Sequence, residues 1–390
     1  YHDDSERVVF ATEFGPVITK AKEQLKLDRR GIYEFFGFTH LLDNHTYYKS
    51  IKTVRPATVM TFGEGTPKEY KYWDHSYAEE GQSKLDRREY VERLASSINR
   101  AVRRRATDDV GLLLSGGLDS RFALAPLDDP IPTFTLADRK NKEARLAEKL
   151  ADVAGCPNEF IERDPNHYLN SIEEAVKIGG GMHQFSHAHF LGTLGQIGND
   201  CSALLNSYGF DVRLKGHYFP PRYLQIGGKE FLLKKTTRPI SKRELYEIET
   251  WERVPSSLLG FMPKNLFAPK HRDNFRETVM DSLSEVLDEA NAKNPYNIVD
   301  FPASHSFRSL GTYLAVMSAR AYLPQRTVVL DSELIDLSLA IPPEYRAQGR
   351  VLKEALVELS PELARVTNNN TGLRADAPWL LEFLVSNSEV

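Results

Sequence analysis

The sequence predicts an α/β fold: an open, mostly parallel sheet with helices on both faces, preceded by a partial, mostly β segment. Three observations carry that expectation. From residue 86 onward, amphipathic helical stretches alternate with short apolar runs, the pattern of strands covered on both sides. Two of those runs, "VGLLL" at 110–114 and "SALLN" at 202–206, lead into small polar residues, a glycine and an aspartate, and the carboxyl ends of parallel strands are where ligands bind. Before residue 76, by contrast, "RVVFATEF", "TYYKSIKTV" and "ATVMTFG" are short, rich in β-branched and aromatic residues, and separated by turn residues.

The elements follow in order. Residues 1–75 form the β-rich segment, with "GIYEFFGFTHLL" a short helix within it, and the polar stretch 76–85 is a linker. The domain from 86 to 390 opens on "DRREYVERLASSINRAVRRR", which sets Tyr90, Leu94, Ile98 and Ala101 on one helical face. The strand "VGLLL" follows, then the strand "IPTFTLA". Next is the helix "NKEARLAEKLADVAG", with Ala147, Leu150, Ala151 and Ala154 in register and Gly155 as its stop. The last third is mainly helical, with "RETVMDSLSEVLDEANAK" and "DSELIDLSLAIP" amphipathic and "TNNNTG", 367–372, a loop.

Composition narrows the function classes. Hydrophobic residues at 41% and charged residues at 27% are those of an ordinary globular protein. A net charge of −4 gives no general basic field, so neither nucleic acid nor a membrane surface is an expected partner. The run Arg103 to Arg105 reads as a solvated helix end. Cys156 and Cys201 stand far apart without a CxxC spacing, which fits buried structural cysteines and a reducing, cytoplasmic setting. "MHQFSHAHF", 182–190, lacks zinc-ligand spacing, and its histidines read as pocket lining.

The chemistry concentrates in "SGGLDS", 115–120. A Gly-rich turn between a strand and a helix turns several backbone N–H groups toward one point, which then binds an anion. Gly116 and Gly117 leave room for close approach and can take positive φ, and Ser115 and Ser120 add hydroxyl donors. Phosphate is the natural guest. Asp119 would repel it unless a divalent cation lies between them, so the motif points to ATP with Mg²⁺.

With SGGLDS placed after a strand, and a second strand ending in an acid, the chain resembles the asparagine synthetase family and its PP-loop ATP pyrophosphatase relatives. "VVFATEF", "IKTVRPATVMTF" and "YKYWD" resemble the end of that family's glutaminase domain, and "NSYGFD", 206–211, corresponds to its second active-site loop. "VVLDSELIDLSLAIPPEYR" with "GRVLKEAL" resembles its carboxy-terminal segment. The resemblance implies a ligase that adenylates a carboxylate, releases pyrophosphate and lets ammonia or an amine displace AMP. It assigns the pyrophosphate to Ser115, Gly116, Gly117 and Ser120, and Mg²⁺ to Asp119 and Asp211. It sets Leu114, Leu136, Asn206 and Ser207 around the adenosine, and makes Lys353 the active-site lysine. The implied partners are a small-molecule or peptide carboxylate and an amine donor, and a homodimer is one assembly this permits.

Two departures keep the readings apart. Where asparagine synthetases carry a glutamate in the second loop, this chain has Tyr208, as in the lactam-forming branch, in which a tyrosine paired with a glutamate takes a proton from an internal amine. A phenol near pKa 10 needs such a partner to act as a base. The segment where that branch keeps its glutamate, "FRSLGTYLAVMSARAY", holds no acid. The chain also begins at Tyr1, where glutamine-hydrolysing relatives expose a cysteine, so it is not expected to release ammonia from glutamine unless residues precede it. Three readings stay open: an amide-forming ligase, with aspartate a candidate substrate; an intramolecular lactam or macrolactam synthetase; and a nucleotide-binding subunit without catalysis. Base modification of tRNA would call for basic surface and catalytic cysteines, and the sequence offers neither.

Overall fold

The computed structural model describes all residues except 5–6, 23–24, 64–66, 79–84, 108, 218, 220–222, 233–267, 272–273, 308–309 and 388–390. Its contacts divide the chain into two compact units. The first takes in Tyr1–Ser76, Ser171–His189 and Ile240–Met317, and the second Tyr77–Asn170, Phe190–Pro239 and Ser318–Val390. Residues 86–390, expected as one domain, contribute to both units. Most of the expected linker lies outside the described residues.

In the first unit the strands are short. Antiparallel pairs join His2–Asp3 to Val8–Val9 and Thr58–Thr61 to Lys68–Lys71, while "TYYKSIKTV" contributes only isolated bridges at Tyr48 and Ile51. Two helices, Phe14–Ala21 and Arg29–Phe38, lie between them. The second of these is the helix read from "GIYEFFGFTHLL"; the first begins within "VVFATEF", where β-branched residues had suggested a longer strand.

The second unit is built on five parallel strands: β1 (Val110–Leu113), β2 (Thr133–Ala137), β3 (Asn158–Glu162), β4 (Ala203–Asn206) and β5 (Gln325–Thr327), in the order β5-β4-β1-β2-β3. The chain moves outward from β1 to β3 and then returns to the other side of β1, so the strand order reverses between β1 and β4. In an open parallel sheet that reversal leaves a crevice at the carboxyl ends of the two strands. Burial follows position: β1 and β4 are buried along nearly their whole length, whereas the edge strands "NEFIE" and "QRT" carry polar and charged residues. Pro132, Pro157 and Pro324 immediately precede β2, β3 and β5, and each carbonyl accepts from the neighbouring strand's N–H at 2.9 Å. At that position the missing N–H costs no ladder bond.

The helices of this unit used below are α1 (Arg87–Arg103), α2 (Asp119–Leu124), α3 (Lys142–Ala154), α4 (Phe210–Leu214), α5 (Ser332–Ala340), α6 (Arg350–Leu359), α7 (Pro361–Arg365) and α8 (Trp379–Ser386). Asp86 and Glu89 cap α1 reciprocally, and Tyr90, Leu94, Ile98 and Ala101 are buried on its inner face. Asn141 caps α3, and Gly155 ends it at φ 68°. Phe134, Ile161, Leu194, Ile197, Cys201, Leu204, Ala319 and Leu323 form a core cluster. Cys156 and Cys201 are both buried, and burial raises their thiol pKa values.

The basic run at the end of α1 is solvent-exposed at Arg103 and Arg104, as a solvated helix end is, and is ion-paired as well. Arg104 and Arg105 each place a guanidinium nitrogen 2.8 Å from a different oxygen of the buried Asp331, the residue that caps α5, while Arg103 pairs with Asp128. Arg104 and Arg105 thus join the end of α1 to the start of α5 through an acid more than two hundred residues away, which the sequence could not show.

Candidate functional site

The residues singled out from SGGLDS and NSYGFD sit at the carboxyl ends of β1 and β4, which pair in parallel as neighbours. Leu114 continues β1, buried, with its N–H on the Phe134 carbonyl at 2.9 Å and its carbonyl accepting from Thr135 Oγ1 at 3.0 Å. The turn that follows is held by its own serines. Ser120 Oγ donates to the Ser115 carbonyl at 2.9 Å, and the Ser115 and Gly117 N–H groups reach only local hydroxyls at 3.3 Å. Those two long bonds are weak and readily exchanged for a stronger acceptor.

The glycines serve this turn through space rather than through backbone freedom. Neither Gly116 nor Gly117 has positive φ. A Cβ on Gly116 would come within 3.0 Å of both the Glu143 carbonyl and Leu146, so α3 and the turn approach as closely as bare backbone allows. From the other side the Asn369 N–H donates to the Gly116 carbonyl at 3.2 Å, bringing the 367–372 loop against the motif.

Arg121, which the sequence reading passed over, organises the turn from beneath. It is fully buried, and its guanidinium donates to backbone carbonyls. Nε donates to the Gly117 carbonyl at 3.0 Å, and Nη1 to the Leu363 and Val366 carbonyls at 2.8 and 2.6 Å. Nη2 reaches the Thr367 carbonyl at 2.9 Å and that of Gly116 at 3.4 Å. The planar fork ties the turn to the end of α7 in a way that one ammonium could not reproduce. Burial pulls its pKa down to about 10, so it remains charged near neutrality. Its signal in the sequence was only an arginine on an apolar helix.

The two acids converge because α2 and α4 pack at their beginnings. The rings of Phe122 and Phe210, both fully buried, stack with centroids 5.2 Å apart. Burial pushes the Asp119 carboxyl above its ordinary range; Lys215 opposes that shift and the nearby Asp211 charge adds to it. Asp119 Oδ1 is enclosed and lies 2.5 Å from Lys215 Nζ, although the Asp119 side chain as a whole keeps 30% of its surface open. Asp211 Oδ1 accepts from the Val212 N–H at 2.9 Å. Lys215, at the end of α4, is a second residue the sequence reading missed.

The remaining candidates fall into two groups. Asn206 is buried, with Nδ2 on Gln325 Oε1 at 3.1 Å and Oδ1 accepting from the Tyr208 N–H at 3.3 Å. Gly209, at φ 98°, turns the chain from that loop into α4. Ser207 Oγ is enclosed without a hydrogen-bond partner among the described residues, an unmet polar atom at the strand end. Leu136 packs against the core cluster, and Lys353 on α6 is held by Glu382 of α8, Nζ to Oε1 at 2.5 Å. The histidines of "MHQFSHAHF" belong to the first unit: His183 Nδ1 lies 3.1 Å from the Gly179 carbonyl and His187 Nε2 3.0 Å from Gln184 Oε1.

Comparison with known proteins agrees with these motifs. Residues 93–197 match the family model for asparagine synthase. The chain is similar to the glutamine-hydrolyzing asparagine synthetase 3 of Bacillus subtilis, 29% identical over 201 residues, covering 46% of this chain and 32% of that protein. It is also similar to asparagine synthetase 1 of the same organism, 24% identical over 184 residues, covering 45% and 28% respectively. The match thus spans about a third of the length of these curated relatives. Among solved structures, an NH3-dependent NAD synthetase from Campylobacter jejuni matches with TM-score 0.24 and 15% identity over 51% of this chain and 95% of its own. An NMN synthetase from Francisella tularensis matches with TM-score 0.26 and 14% identity over 58% and 96%. The resemblance to the asparagine synthetase family therefore rests on matched sequence as well as on motif. None of the described helices is long and apolar enough to cross a membrane.

Proposed function

We propose that this chain is an ATP-dependent ligase of the asparagine synthetase type, which activates a carboxylate as its acyl adenylate and passes the acyl group to ammonia or an amine. The observation that carries the reading is the meeting of the Ser115–Asp119 turn and the Asn206–Asp211 loop at neighbouring strand ends, where exchangeable N–H and hydroxyl donors lie next to two acids. Ser115, Gly116, Gly117 and Ser120 hold the pyrophosphate portion of ATP through those donors. Leu114, Leu136, Asn206 and Ser207 surround the adenosine, with the unmet Ser207 hydroxyl as one polar contact. Asp119 and Asp211 are hard oxygen donors of the kind Mg²⁺ selects, and the enclosed Asp119 oxygen fits that use. Bound there, Mg²⁺ would neutralise charge on the phosphate oxygens.

The substrate carboxylate attacks the α-phosphorus and pyrophosphate leaves; the amine then attacks the acyl carbon and AMP leaves. Lys353, which Glu382 holds, is the family-implied cation for the negative charge that develops, a role that would be worth about 3 kcal/mol or more of transition-state stabilisation. Aspartate is one candidate acid. Tyr208 favours a second reading in which the amine belongs to the same molecule and the product is a lactam or macrolactam. The test is incubation with ATP, Mg²⁺ and candidate acids, following pyrophosphate and AMP release with mass spectrometry of the products. Pyrophosphate formed with an acid and ammonia supports the first reading. A product lighter than its substrate by one water, formed without ammonia, supports the second. Nucleotide binding without AMP release under any condition would leave the non-catalytic subunit.

A further inference from the structure

We propose that Lys215 is a phosphate ligand of the nucleotide site, held in this structure on the carboxylate of Asp119. The inference rests on the nucleotide reading above and adds to it a residue that the family resemblance does not supply. Lys215 is the residue at the carboxyl cap of α4, the short helix whose first turn carries Asp211. The Phe122–Phe210 stack joins α4 to the helix that Asp119 opens, and Lys215 Nζ lies 2.5 Å from Asp119 Oδ1.

The fold makes room for this one side chain. Gly349, at φ 66°, passes so close that a Cβ there would lie 3.2 Å from Lys215 Cγ; a side chain would be both strained and crowded. Lys215 is only 26% exposed, so its stem is packed rather than waving in solvent. Electrostatics then decides what the ammonium does. With Asp119 and Asp211 alone, Lys215 leaves the site net negative, which repels a triphosphate. One divalent ion on the two acids cancels their charge, and Lys215 becomes a surplus positive charge beside a polyanion. Its ammonium has three rotatable donors on a flexible stem, suited to moving from carboxylate to phosphate.

Isothermal titration with Mg²⁺ and α,β-methylene-ATP, which resists cleavage, tests this on the wild type, Lys215→Met and Lys215→Arg. The expected result is about a ten- to hundredfold weaker nucleotide affinity for Lys215→Met and most of the affinity retained in Lys215→Arg. Titration with Mn²⁺ alone, read by electron paramagnetic resonance, should show Lys215→Met binding the ion more tightly, because the competing ammonium is gone. Circular dichroism and melting check that the variants fold, and if Lys215→Met does not, the Lys215→Gln variant takes its place. Nucleotide affinity unchanged in a folded neutral variant overturns the role of Lys215 while leaving the nucleotide reading intact. A folded wild type that binds no nucleotide overturns both.

Discussion

Asp43 in the first unit and Asp119 in the second are both acids enclosed beside a cation, and their surroundings differ in a way that separates a structural tie from a ligand site. Asp43 receives two hydrogen bonds at 2.7 Å from Arg55, one to each oxygen, with His305 Nε2 3.6 Å away. Burial would raise its pKa, but the Arg55 hydrogen bonds and charge, with His305 close by, outweigh this and hold it well below the usual carboxylate range. Asp43, Glu289 and His305 present donor atoms within 4.8 Å of one another, a spacing that suits a metal, yet the Arg55 fork already uses both Asp43 oxygens. Asp119 has a single flexible ammonium, a neighbouring like charge and a pKa raised by burial. The first acid is fully committed; the second is stabilised just enough to stay available.

The largest expected effect breaks the comparison directly. Asp119→Asn should lower AMP-forming turnover by about a thousandfold or more while leaving the melting temperature unchanged or slightly higher, since it removes an under-compensated charge. Asp43→Asn should leave turnover intact and melt earlier. A loss of turnover in both, or in neither, would mean that the two acids do not differ as described.

Arg121→Met should come next. It strips the hydrogen-bond donors from carbonyls at both the turn and the end of α7, and should cost about 3 kcal/mol or more of stability, seen as a clearly lower denaturation midpoint. Arg121→Lys should recover only part of that loss, because one ammonium cannot serve carbonyls spread over a planar fork. Stability of Arg121→Lys equal to that of the wild type would show that charge, rather than geometry, is what the site needs.

Smaller and opposite in character is the pH dependence of Asp43. Its folded-state pKa lies below the unfolded value, so the stabilisation from Arg55 is whole above about pH 4 and fades as the pH falls below it. Asp43→Asn should therefore cost about 2 kcal/mol at neutral pH, less than a fully buried pair because Arg55 is one-third exposed, and progressively less in acid. Urea titrations of both proteins across that range read this, and a constant difference would contradict it. The smallest effect is expected for Tyr208→Phe: a change of under about fivefold in turnover if the ring only packs on substrate. A loss of about a hundredfold, growing as the pH rises and the phenolate becomes available, would make the phenol a proton acceptor.

Much of this was legible in the sequence because it is local. Continuous apolar runs marked β1, β2 and β4, apolar periodicity marked α1 and α3 with Gly155 as the stop of α3, and SGGLDS announced a turn bounded by a strand and a helix. What stayed hidden depends on contacts far apart along the chain. Arg121 could not be read as a clamp without the carbonyls of 363–367, Lys353 lacked its Glu382, and Gly349 gave no hint that it clears Lys215. The glycines of the motif were legible as a need for bare backbone, but close approach of α3, rather than positive φ, is what they answer. The early strands were overestimated because β-branched residues favour extended backbone only when a neighbouring strand is there to pair with.

The most direct measurement is a crystal structure with Mn²⁺ and α,β-methylene-ATP, using anomalous scattering to locate the metal. The account predicts phosphates against Ser115–Gly117 and Ser120, with the ion shared by Asp119 and Asp211. Nucleotide bound elsewhere, with that turn still closed on its own serines and Asp119 still on Lys215, would contradict it.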